Sequence, residues 1–253
     1  MTNGGVVDRS ARAHPLTIAV VVPALDEVGN IASLVGELIE QSVDWVIVVD
    51  NGSADETAAV AASAGAEVIS ETRRGYGYAC AAGTEAAIER GADLVAYIDA
   101  DHSSRPDELA TLLQPLVDDE ADLVLGSRVL GHIEGGAMAP HQRLGNRLSA
   151  ALMRRLYGLT VTDLGPYRAV RGNLVGSLEM EEMTYGWPTE MTVKCASTGA
   201  RIVEVPVSWR VRHEGRSKVS GTVKGSILAG YQIVRVTLRH RRGSTTGRWL
   251  NRR

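Results

Sequence analysis

The chain has 253 residues, 44% of them hydrophobic, and a net charge of −3 at pH 7. This length and composition permit one large α/β domain or two small ones, and one domain is the simpler expectation. No window approaches the roughly 18 to 20 consecutive apolar residues of a membrane-spanning helix, so we expect a soluble or peripheral protein. Cys80 and Cys195 lie far apart, without metal-ligand spacing or a secretory signal, which favours a reducing, cytoplasmic location.

Continuous apolar runs recur along the first half of the chain, at residues 16–22, 45–49, 67–70, 94–98 and 122–125. They do not alternate with polar residues, which is typical of strands buried on both faces of a parallel sheet. Between them lie predicted helices: an apolar stripe from Ile31 to Ile39 that Asn30 could cap, and alanine-rich segments near 55–64 and 78–90. This alternation predicts right-handed crossovers and a doubly wound, mainly parallel α/β sheet.

The second half of the chain is less regular. Residues 126–145 are loop-rich, and helices are predicted at 146–157 and from near Pro188 to Gly199. Residues 201–209 alternate as a strand, in which Pro206 favours an edge position. A last helix carries the apolar stripe Ile227, Tyr231, Val234 and Leu238. The expected organisation is a flexible lead-in at 1–14, one domain at 15–221, and an amphipathic helix with a basic tail at 222–253.

The C-terminal residues 235–253 contain seven arginines and no acidic residue. Removing these seven from the 27 basic residues leaves 20, against 30 acidic residues, so a basic tail follows an acidic body. This asymmetry suggests an anionic neighbour, with a membrane surface favoured over nucleic acid. A solvated terminus without a partner is the alternative.

Acidic residues follow three of the predicted strands, where parallel sheets bind their ligands. Glu27 follows the first strand, Asp50 the second, and Asp99 and Asp101 the fourth. The first turn lacks the glycines of a phosphate-binding loop, which disfavours NAD-binding and P-loop proteins. A glycine pattern at 73–83 follows the third strand and lacks the sixth-position glycine, so it does not restore a dinucleotide site.

The triplet Asp99-Ala100-Asp101 predicts a divalent metal site. Side chains at i and i+2 of an extended chain point to the same side, where two carboxylates repel unless a cation or proton neutralises them. Carboxylate oxygens suit Mg²⁺ or Mn²⁺, with substrate phosphates completing the ligand shell. The alternative is that Asp101 or Ser103 caps a helix beginning near Pro106.

Five motifs occur in an order and spacing that resemble the family 2 glycosyltransferases of the GT-A fold: VVVPALDEVGNI, VVDNGSADET, RRGYGYACAAG, YIDADHSSRPDEL and GSRVLGHIEGG. Within that family the chain is most similar to the dolichyl- and polyprenyl-phosphate mannosyl- and glucosyltransferases. The resemblance extends over roughly residues 16–221 and includes DLGPYRAVR, YGWPTEM and EVPVSWRVRHEGRSK.

The resemblance implies three groups of site residues. The nucleotide-sugar pocket would be formed by Pro23, Ala24, Glu27, Asp50, Arg74, Gly75, Asp99, Ala100 and Arg128. The glycines beside Arg74 would let the backbone approach the nucleotide. The metal, Mg²⁺ or Mn²⁺, would be held by Asp101 and Ser103. The acceptor phosphate would be met by Arg143, Arg168, Arg212, Ser217 and Lys218.

The implied activity is inverting transfer of a hexose from a UDP-glucose or GDP-mannose type donor to a polyprenyl-phosphate-like acceptor. Metal and arginines would stabilise the departing nucleoside diphosphate. A phosphate acceptor needs no strong base, whereas a small hydroxylated acceptor would need one, with Asp163 and Glu190 as candidates. A catalytically idle nucleotide-sugar-binding protein is a third interpretation, and homo-oligomerisation is left open.

Three positions and one loop depart from the usual pattern of these lipid-phosphate enzymes. Ser103 stands where a glutamine is common, with His102 beside Asp101, and Asp26 replaces the usual asparagine. The loop 164–168 replaces the usual Ser-Gly-Phe-Arg sequence. These changes bear on the metal ligands and the acceptor more than on the donor site.

Overall fold

The computed structural model describes residues 15–212 and 223–240. In this part of the chain seven strands form one mixed sheet. They are β1 (Ile18–Ala24), β2 (Trp45–Asp50), β3 (Glu67–Ser70), β4 (Leu94–Tyr97), β5 (Leu123–Ser127), β6 (Arg168–Arg171) and β7 (Ile202–Pro206). The strand order is β3-β2-β1-β4-β6-β5-β7. The mainly parallel α/β sheet predicted from the apolar runs is therefore confirmed.

Strand β6 is the exception to parallel pairing, and the sequence analysis did not predict it. It lies between β4 and β5 and runs antiparallel to both. Its four residues, RAVR, begin and end with arginine and so lack the continuous apolar run that identified the other central strands. Strand β7 pairs with β5 at the sheet edge, as Pro206 predicted.

Eight α-helices cover the sheet in the described part of the chain. They are α1 (Val28–Glu40), α2 (Thr57–Ser63), α3 (Tyr76–Glu89), α4 (Leu109–Val117), α5 (Pro140–Tyr157), α6 (Gly172–Gly176), α7 (Trp187–Thr198) and α8 (Val223–Arg239). A 3₁₀ turn at Pro106–Glu108 precedes α4. As predicted, α7 ends at Gly199, whose φ of +80° suits a residue without a Cβ atom.

Two helices begin earlier than predicted. Helix α1 starts at Val28 rather than after Asn30, and the Asn30 amide donates instead to Glu27 Oε2 at 2.7 Å. Helix α5 starts at Pro140, six residues before the predicted start, because proline suits the first helical turn. The side chain of Gln142 also accepts a hydrogen bond from the Ala139 amide at 2.8 Å, which stabilises this N-terminus.

The core has one apolar layer on each face of the sheet. Val20 and Val22 of β1 pack with α1 and α4 on one face, while Ala19 and Val21 pack with α3 on the other. Burial on both faces explains why the strand sequences are continuously apolar. The carboxyl ends of the central parallel strands meet at one edge, and this edge carries the predicted site.

Helix α8 packs on the body through one face and leaves its apolar stripe outside. Val236 and Thr237 are buried, whereas Tyr231, Val234 and Leu238 are 61%, 45% and 47% exposed. The side chain of Ile227 is not among those described. Across the described residues, the helices are too short or too polar to cross a membrane.

Two arginines of the predicted basic tail belong to this docked helix. Arg235 lies 2.6 Å from Glu182, and Arg239 lies 2.7 Å from Glu181. Two of the seven arginines in the predicted basic tail are therefore paired with acidic residues of the protein itself. The remaining five arginines of that segment, at 241–253, lie outside the described residues.

Candidate active site

The acidic residues predicted from the strand ends do come together at one edge of the sheet. Strand β1 pairs in parallel with both β2 and β4, and Ala24 lies opposite Asp50 in the register. Glu27 lies three residues beyond β1, and its backbone amide donates a hydrogen bond to the Thr57 hydroxyl at 2.8 Å. The turns after these strands are thereby tied to one another. The convergence follows from parallel pairing, since parallel strands all end at the same edge.

Asn51 organises the predicted nucleotide pocket, and the sequence analysis missed it. Its side-chain amide donates to the carbonyls of Glu71 and Arg73, at 3.0 and 2.8 Å, and its oxygen accepts from the Gly75 amide at 2.8 Å. Asn51 therefore fixes the turn that follows β3. The available signal was its position directly after Asp50, at the carboxyl end of a buried strand.

Asp50 and Arg74, which are both predicted to contact the nucleotide, lie next to Asn51 and Gly75 in the chain. Asp50 is buried, and its Oδ1 accepts from the Ser53 amide at 3.1 Å. Arg74 is exposed, and its guanidinium passes over Gly52, where an added Cβ atom would lie 3.4 Å from Nε. Pro23 and Ala24 supply the apolar end of β1. Asp50 and Ala24 are thus buried, and Arg74 is the exposed member of this group.

The glycines of the RRGYGY motif make room for a neighbouring backbone segment, a role that the sequence analysis did not predict. A Cβ atom added at Gly75 would lie 2.4 Å from the Met183 carbonyl oxygen, and one at Gly77 would lie 2.4 Å from the Glu182 carbonyl oxygen. The Gly77 amide donates to Met183 O at 3.1 Å. The missing side chains thus accommodate the 182–183 backbone, and the approach of this turn to a nucleotide stays a prediction.

Asp99 lies two residues after the end of β4 and contacts the hydroxyl of Tyr76. The Tyr76 hydroxyl donates to Asp99 Oδ1 at 3.1 Å. Burial of the carboxyl group, and then the negative charge of Asp101, raise the pKa of Asp99 to about 7, against smaller lowering effects from Tyr76 and Arg128. Asp99 can therefore exchange a proton near neutral pH when no cation is bound. Tyr76 was also missed by the sequence analysis.

Asp101 and Ser103 lie in the turn after β4, and both are buried. Asp101 Oδ1 accepts from the Ser103 amide at 3.0 Å, and its Oδ2 lies 2.8 Å from Arg212. His102 between them has a φ of +59°, unusual for a residue with a side chain, and its Nε2 lies 2.9 Å from Ser33 Oγ of α1. The contact with Ser33 stabilises this strained backbone conformation, which sets the position of the neighbouring Asp101.

Arg212 and Arg128 bring positive charge to the carboxylates. Arg212 lies 2.6 Å from Glu27 and 2.8 Å from Asp101. Arg128, just after β5, is close enough to lower the pKa of Asp99 through its charge. The Arg128 guanidinium also stacks 4.8 Å from the ring centre of Trp209. Two arginine side chains and three carboxylates therefore lie close together at one edge of the sheet.

Asp163 holds Arg128 in position, and its carboxylate is not accessible to solvent. Its side chain is fully buried. Its oxygens accept from the Arg128 amide, Nε and Nη2 at 3.0, 2.6 and 2.7 Å, from the Asn146 amide at 3.0 Å, and from the Leu164 amide at 2.8 Å. A carboxylate so engaged is a poor candidate for the general base, the role predicted for it. Its geometry fits the positioning of Arg128.

Glu190 is also buried among partners of its own. Its Oε2 accepts from the amides of Glu181 and Glu182, at 3.0 and 2.7 Å, and its Oε1 lies 3.2 Å from both Lys194 and His240. Its side chain is fully buried. The structure thus gives Glu190 the task of holding the 181–182 loop against α7 and α8, in place of the predicted base role.

The predicted phosphate-binding residues are not all brought together. Arg168 is fully buried in β6, and its guanidinium donates to the carbonyls of Pro188, at 2.6 Å, and Gly165. This position corrects its assignment as a phosphate contact, because an acceptor phosphate cannot reach it. Arg143 is exposed on α5. Ser217 and Lys218 lie outside the described residues.

The oxygen atoms of the described residues at this edge could hold a cation together with a substrate, but they do not form a complete set of ligands by themselves. Among the described side chains, no cluster of three or more His, Cys, Asp or Glu residues is arranged to hold a metal ion. Asp101 offers a buried carboxylate next to Asp99, and Ser103 is adjacent. Mg²⁺ and similar cations are commonly held by one or two carboxylates together with substrate phosphates. The residues are therefore compatible with a cation whose shell the donor completes.

Comparison with known proteins identifies related glycosyltransferases. The chain is 37% identical over 212 residues to an uncharacterized glycosyltransferase of Mycobacterium tuberculosis, which covers 84% of this chain and 94% of the relative. It is 33% identical over 227 residues to the undecaprenyl-phosphate mannosyltransferase of Micrococcus luteus, covering 84% and 91%.

Among solved structures, the glucosyl-3-phosphoglycerate synthase of Mycobacterium tuberculosis in complex with Mg²⁺ and uridine diphosphate has a TM-score of 0.72. It shares 26% identity, and the alignment covers 91% of this chain and 81% of that one. The fold is that of the GT-A glycosyltransferases, as the five motifs predicted. Residues 19–176 match the family model described as glycosyl transferase family 2, and the chain belongs to that family.

Proposed function

We propose that this chain is an inverting, metal-dependent hexosyltransferase that moves a sugar from a nucleotide donor to a polyprenyl phosphate. The observation that carries the proposal is the meeting of Glu27, Asp99 and Asp101 with Arg128 and Arg212 at the carboxyl edge of the sheet. Carboxylates of this kind suit a cation, and the arginines suit the phosphates that a nucleotide sugar brings.

In this proposal Asp50, Pro23 and Ala24 receive the nucleoside, and Asp99 contacts the sugar or ribose. Asp101 and Ser103 hold Mg²⁺ or Mn²⁺, which supplies positive charge to the diphosphate. The crystallised relative with Mg²⁺ and uridine diphosphate supports this choice of cation and a uridine donor. Arg128, fixed by Asp163 and Trp209, stabilises the charge that develops on the leaving diphosphate.

The reaction is an in-line displacement at the anomeric carbon. An acceptor phosphate oxygen forms the new bond to this carbon while the bond to the donor diphosphate breaks, and the configuration inverts. The attacking phosphate is already ionised near neutral pH and needs no base. Asp163 and Glu190, the two predicted bases, are both fully buried and engaged, which favours a phosphate over a hydroxyl acceptor. The Micrococcus luteus relative, an undecaprenyl-phosphate mannosyltransferase, supports the same acceptor class.

The outer face of α5 supports a membrane-side acceptor. Leu144 and Leu148 are 58% and 63% exposed, and Arg143 and Arg147 are exposed beside them. The 18-residue helix contains no acidic residue. Exposed leucines flanked by arginines suit the interface of an anionic membrane. On its other side Asn146 reaches Asp163, so the same helix borders the active site.

A thermal-shift panel of UDP-glucose, UDP-galactose, UDP-GlcNAc and GDP-mannose, each with and without Mn²⁺, tests the donor. We expect one donor to raise the melting temperature only when Mn²⁺ is present. Transfer of that sugar to polyprenyl phosphate, with the anomeric configuration of the product read by NMR, tests acceptor and stereochemistry. If no donor stabilises the protein with metal present, the proposed function is wrong.

A small hydroxylated acceptor is the second candidate. It is favoured by the similarity to a glucosyl-3-phosphoglycerate synthase. Turnover without lipid, with a rate that rises as a base ionises, would identify this activity. An idle binding protein would bind the donor and Mn²⁺ but neither transfer nor hydrolyse the sugar. One set of donor, acceptor and hydrolysis assays therefore separates the three functions.

A further inference from the structure

Arg212 joins two carboxylates from distant parts of the chain. Its terminal nitrogens lie 2.6 Å from Glu27 Oε1 and 2.8 Å from Asp101 Oδ2. Its side chain is 20% exposed, and both carboxylates are buried. Two residues earlier, the Arg210 amide donates to the Ser103 carbonyl at 2.8 Å. The segment that carries Arg212 is therefore attached to the turn after β4 by its backbone as well as by the side chain.

Asp101 has both oxygens engaged in this arrangement. Oδ2 faces the Arg212 guanidinium, and Oδ1 accepts from the Ser103 amide at 3.0 Å. A magnesium ion would need a carboxylate oxygen at about 2.0 to 2.1 Å. It could bind Asp101 only by displacing the guanidinium or by tolerating a like charge at short range. The arginine thus supplies at Asp101 the positive charge that the cation would bring.

Glu27 gives the guanidinium a second partner, so displacement from Asp101 need not expel Arg212 from the site. Its Oε2 accepts from the Asn30 amide at 2.7 Å, which holds the carboxylate in place at the start of α1. A guanidinium that keeps one carboxylate and loses the other has donors left for another anion. A phosphate oxygen is the group that this planar set of donors fits best.

We propose that Arg212 holds the place of the divalent cation at Asp101, so that the cation and a phosphate bound by Arg212 favour each other's binding. The proposal rests on the function proposed above, which supplies both ligands. Linkage requires that a phosphate raise the affinity for the cation by the same factor as the cation raises the affinity for the phosphate. Cation binding at Asp101 would therefore prepare Arg212 for the acceptor or donor phosphate.

Isothermal titration of Mn²⁺ into the full chain without donor tests the competition. We expect Arg212→Gln to bind Mn²⁺ at least about fivefold more tightly than wild type, the lower end of usual coupling between sites. Arg210→Gln is the matched control, since its exposed side chain lies two residues away in the same segment, and its affinity should equal that of wild type. Equal or weaker Mn²⁺ binding by Arg212→Gln overturns the proposal.

A short-chain prenyl phosphate tests the coupling, with a protein-free titration to subtract its own binding of Mn²⁺. It should tighten Mn²⁺ binding by wild type and leave that of Arg212→Gln unchanged. If the phosphate does not tighten binding by wild type, the coupling is wrong. Should Arg212→Gln fail to give a cooperative thermal melt, Arg212→Lys replaces it, because an ammonium cannot hold both carboxylates as the guanidinium does. The lysine variant must then bind Mn²⁺ more tightly than wild type, and equal or weaker binding counts against the competition.

Asp101→Asn in the Arg212→Gln background separates this inference from the proposed function. Loss of Mn²⁺ binding on adding Asp101→Asn supports Asp101 as the ligand for which Arg212 competes. If Asp101→Asn abolishes binding in wild type while Arg212→Gln gains none, the competition is wrong and the proposed metal site stands. If Mn²⁺ binding survives Asp101→Asn in both backgrounds, Asp101 is not the ligand, and both proposals lose their metal site.

Discussion

Replacing Asp163 with asparagine separates two roles for this carboxylate, the support of Arg128 and general-base catalysis. Breaking a buried ion pair by removing one charge costs about 3 to 5 kcal/mol. The Asp163 side chain is fully buried, and that of Arg128 is 14% exposed. Because water can reach part of the guanidinium, we expect Asp163→Asn to lower the free energy of unfolding by about 3 kcal/mol, the low end of that range.

The assay combines urea denaturation with steady-state kinetics across pH. If Asp163 positions Arg128, the variant should unfold at lower urea concentration and lose at least about tenfold in kcat/KM, roughly 1.4 kcal/mol of transition-state stabilisation, at every pH. Asp122→Asn is the control, because Asp122 pairs with Arg201 and Arg171 at the N-terminal end of β5, whereas Arg128 follows its C-terminal end. It should destabilise the fold without changing kcat/KM.

The opposite result would refute the reasoning. A general base contributes through its protonation, so its loss removes the acidic limb of the pH–rate profile. An Asp163→Asn variant with the wild-type urea midpoint and a flattened pH–rate profile would return Asp163 to the role of base. It would also favour a hydroxyl acceptor over the proposed phosphate.

Three further predictions follow from contacts in the structure. Gly77→Ala places a Cβ atom 2.4 Å from the Glu182 carbonyl oxygen and should lower the free energy of unfolding, measured by urea denaturation, by about 1 to 3 kcal/mol. Gly36→Ala in α1, with nothing within 4 Å, should raise it slightly. In the absence of cation, the raised pKa of Asp99, about 7, means that the folded state holds its proton more tightly than the unfolded state. Wild-type stability should therefore fall as pH rises from about 4 to 7, by up to about 1.4 kcal/mol per unit, and Asp99→Asn should remove this slope in urea titrations at each pH. Deleting residues 235–253 removes the Arg235–Glu182 pair and buried Val236 and should destabilise the fold. Deleting 241–253 should leave the melting temperature unchanged and reduce co-sedimentation with anionic liposomes, and unchanged sedimentation would rule out the tail as a membrane contact.

The sheet was largely predictable because its central strands are buried on both faces. Such strands must be apolar along their whole length, as Ala19 to Val22 of β1 are. This pattern can be recognised in the sequence without knowing which strands lie beside it. Strand β6 was not predictable in this way. Its apolar residues Ala169 and Val170 are too few to form a run, and its place between β4 and β5 depends on pairing partners far away in sequence.

The residues of the candidate site were also predictable only in part. The acidic strand ends at Glu27, Asp50, Asp99 and Asp101 were identified from sequence, because the position of a residue after a parallel strand decides the edge at which it lies. The polar residues that hold the surrounding turns and side chains in place were not identifiable. Asn51, Tyr76 and Asn146 act through hydrogen bonds to residues that are brought close only by the folded chain.

By itself, the sequence determined the fold class, the family and the edge of the sheet at which the acidic residues gather, since these depend on local pattern and order. Only the tertiary structure decided which charges are available for chemistry. It buried Arg168, Asp163 and Glu190 among hydrogen-bond partners, and it set Arg212 between Glu27 and Asp101. The physical reason is that burial and pairing depend on segments remote in the chain, and these decide whether a charged side chain meets a ligand or another residue of the protein.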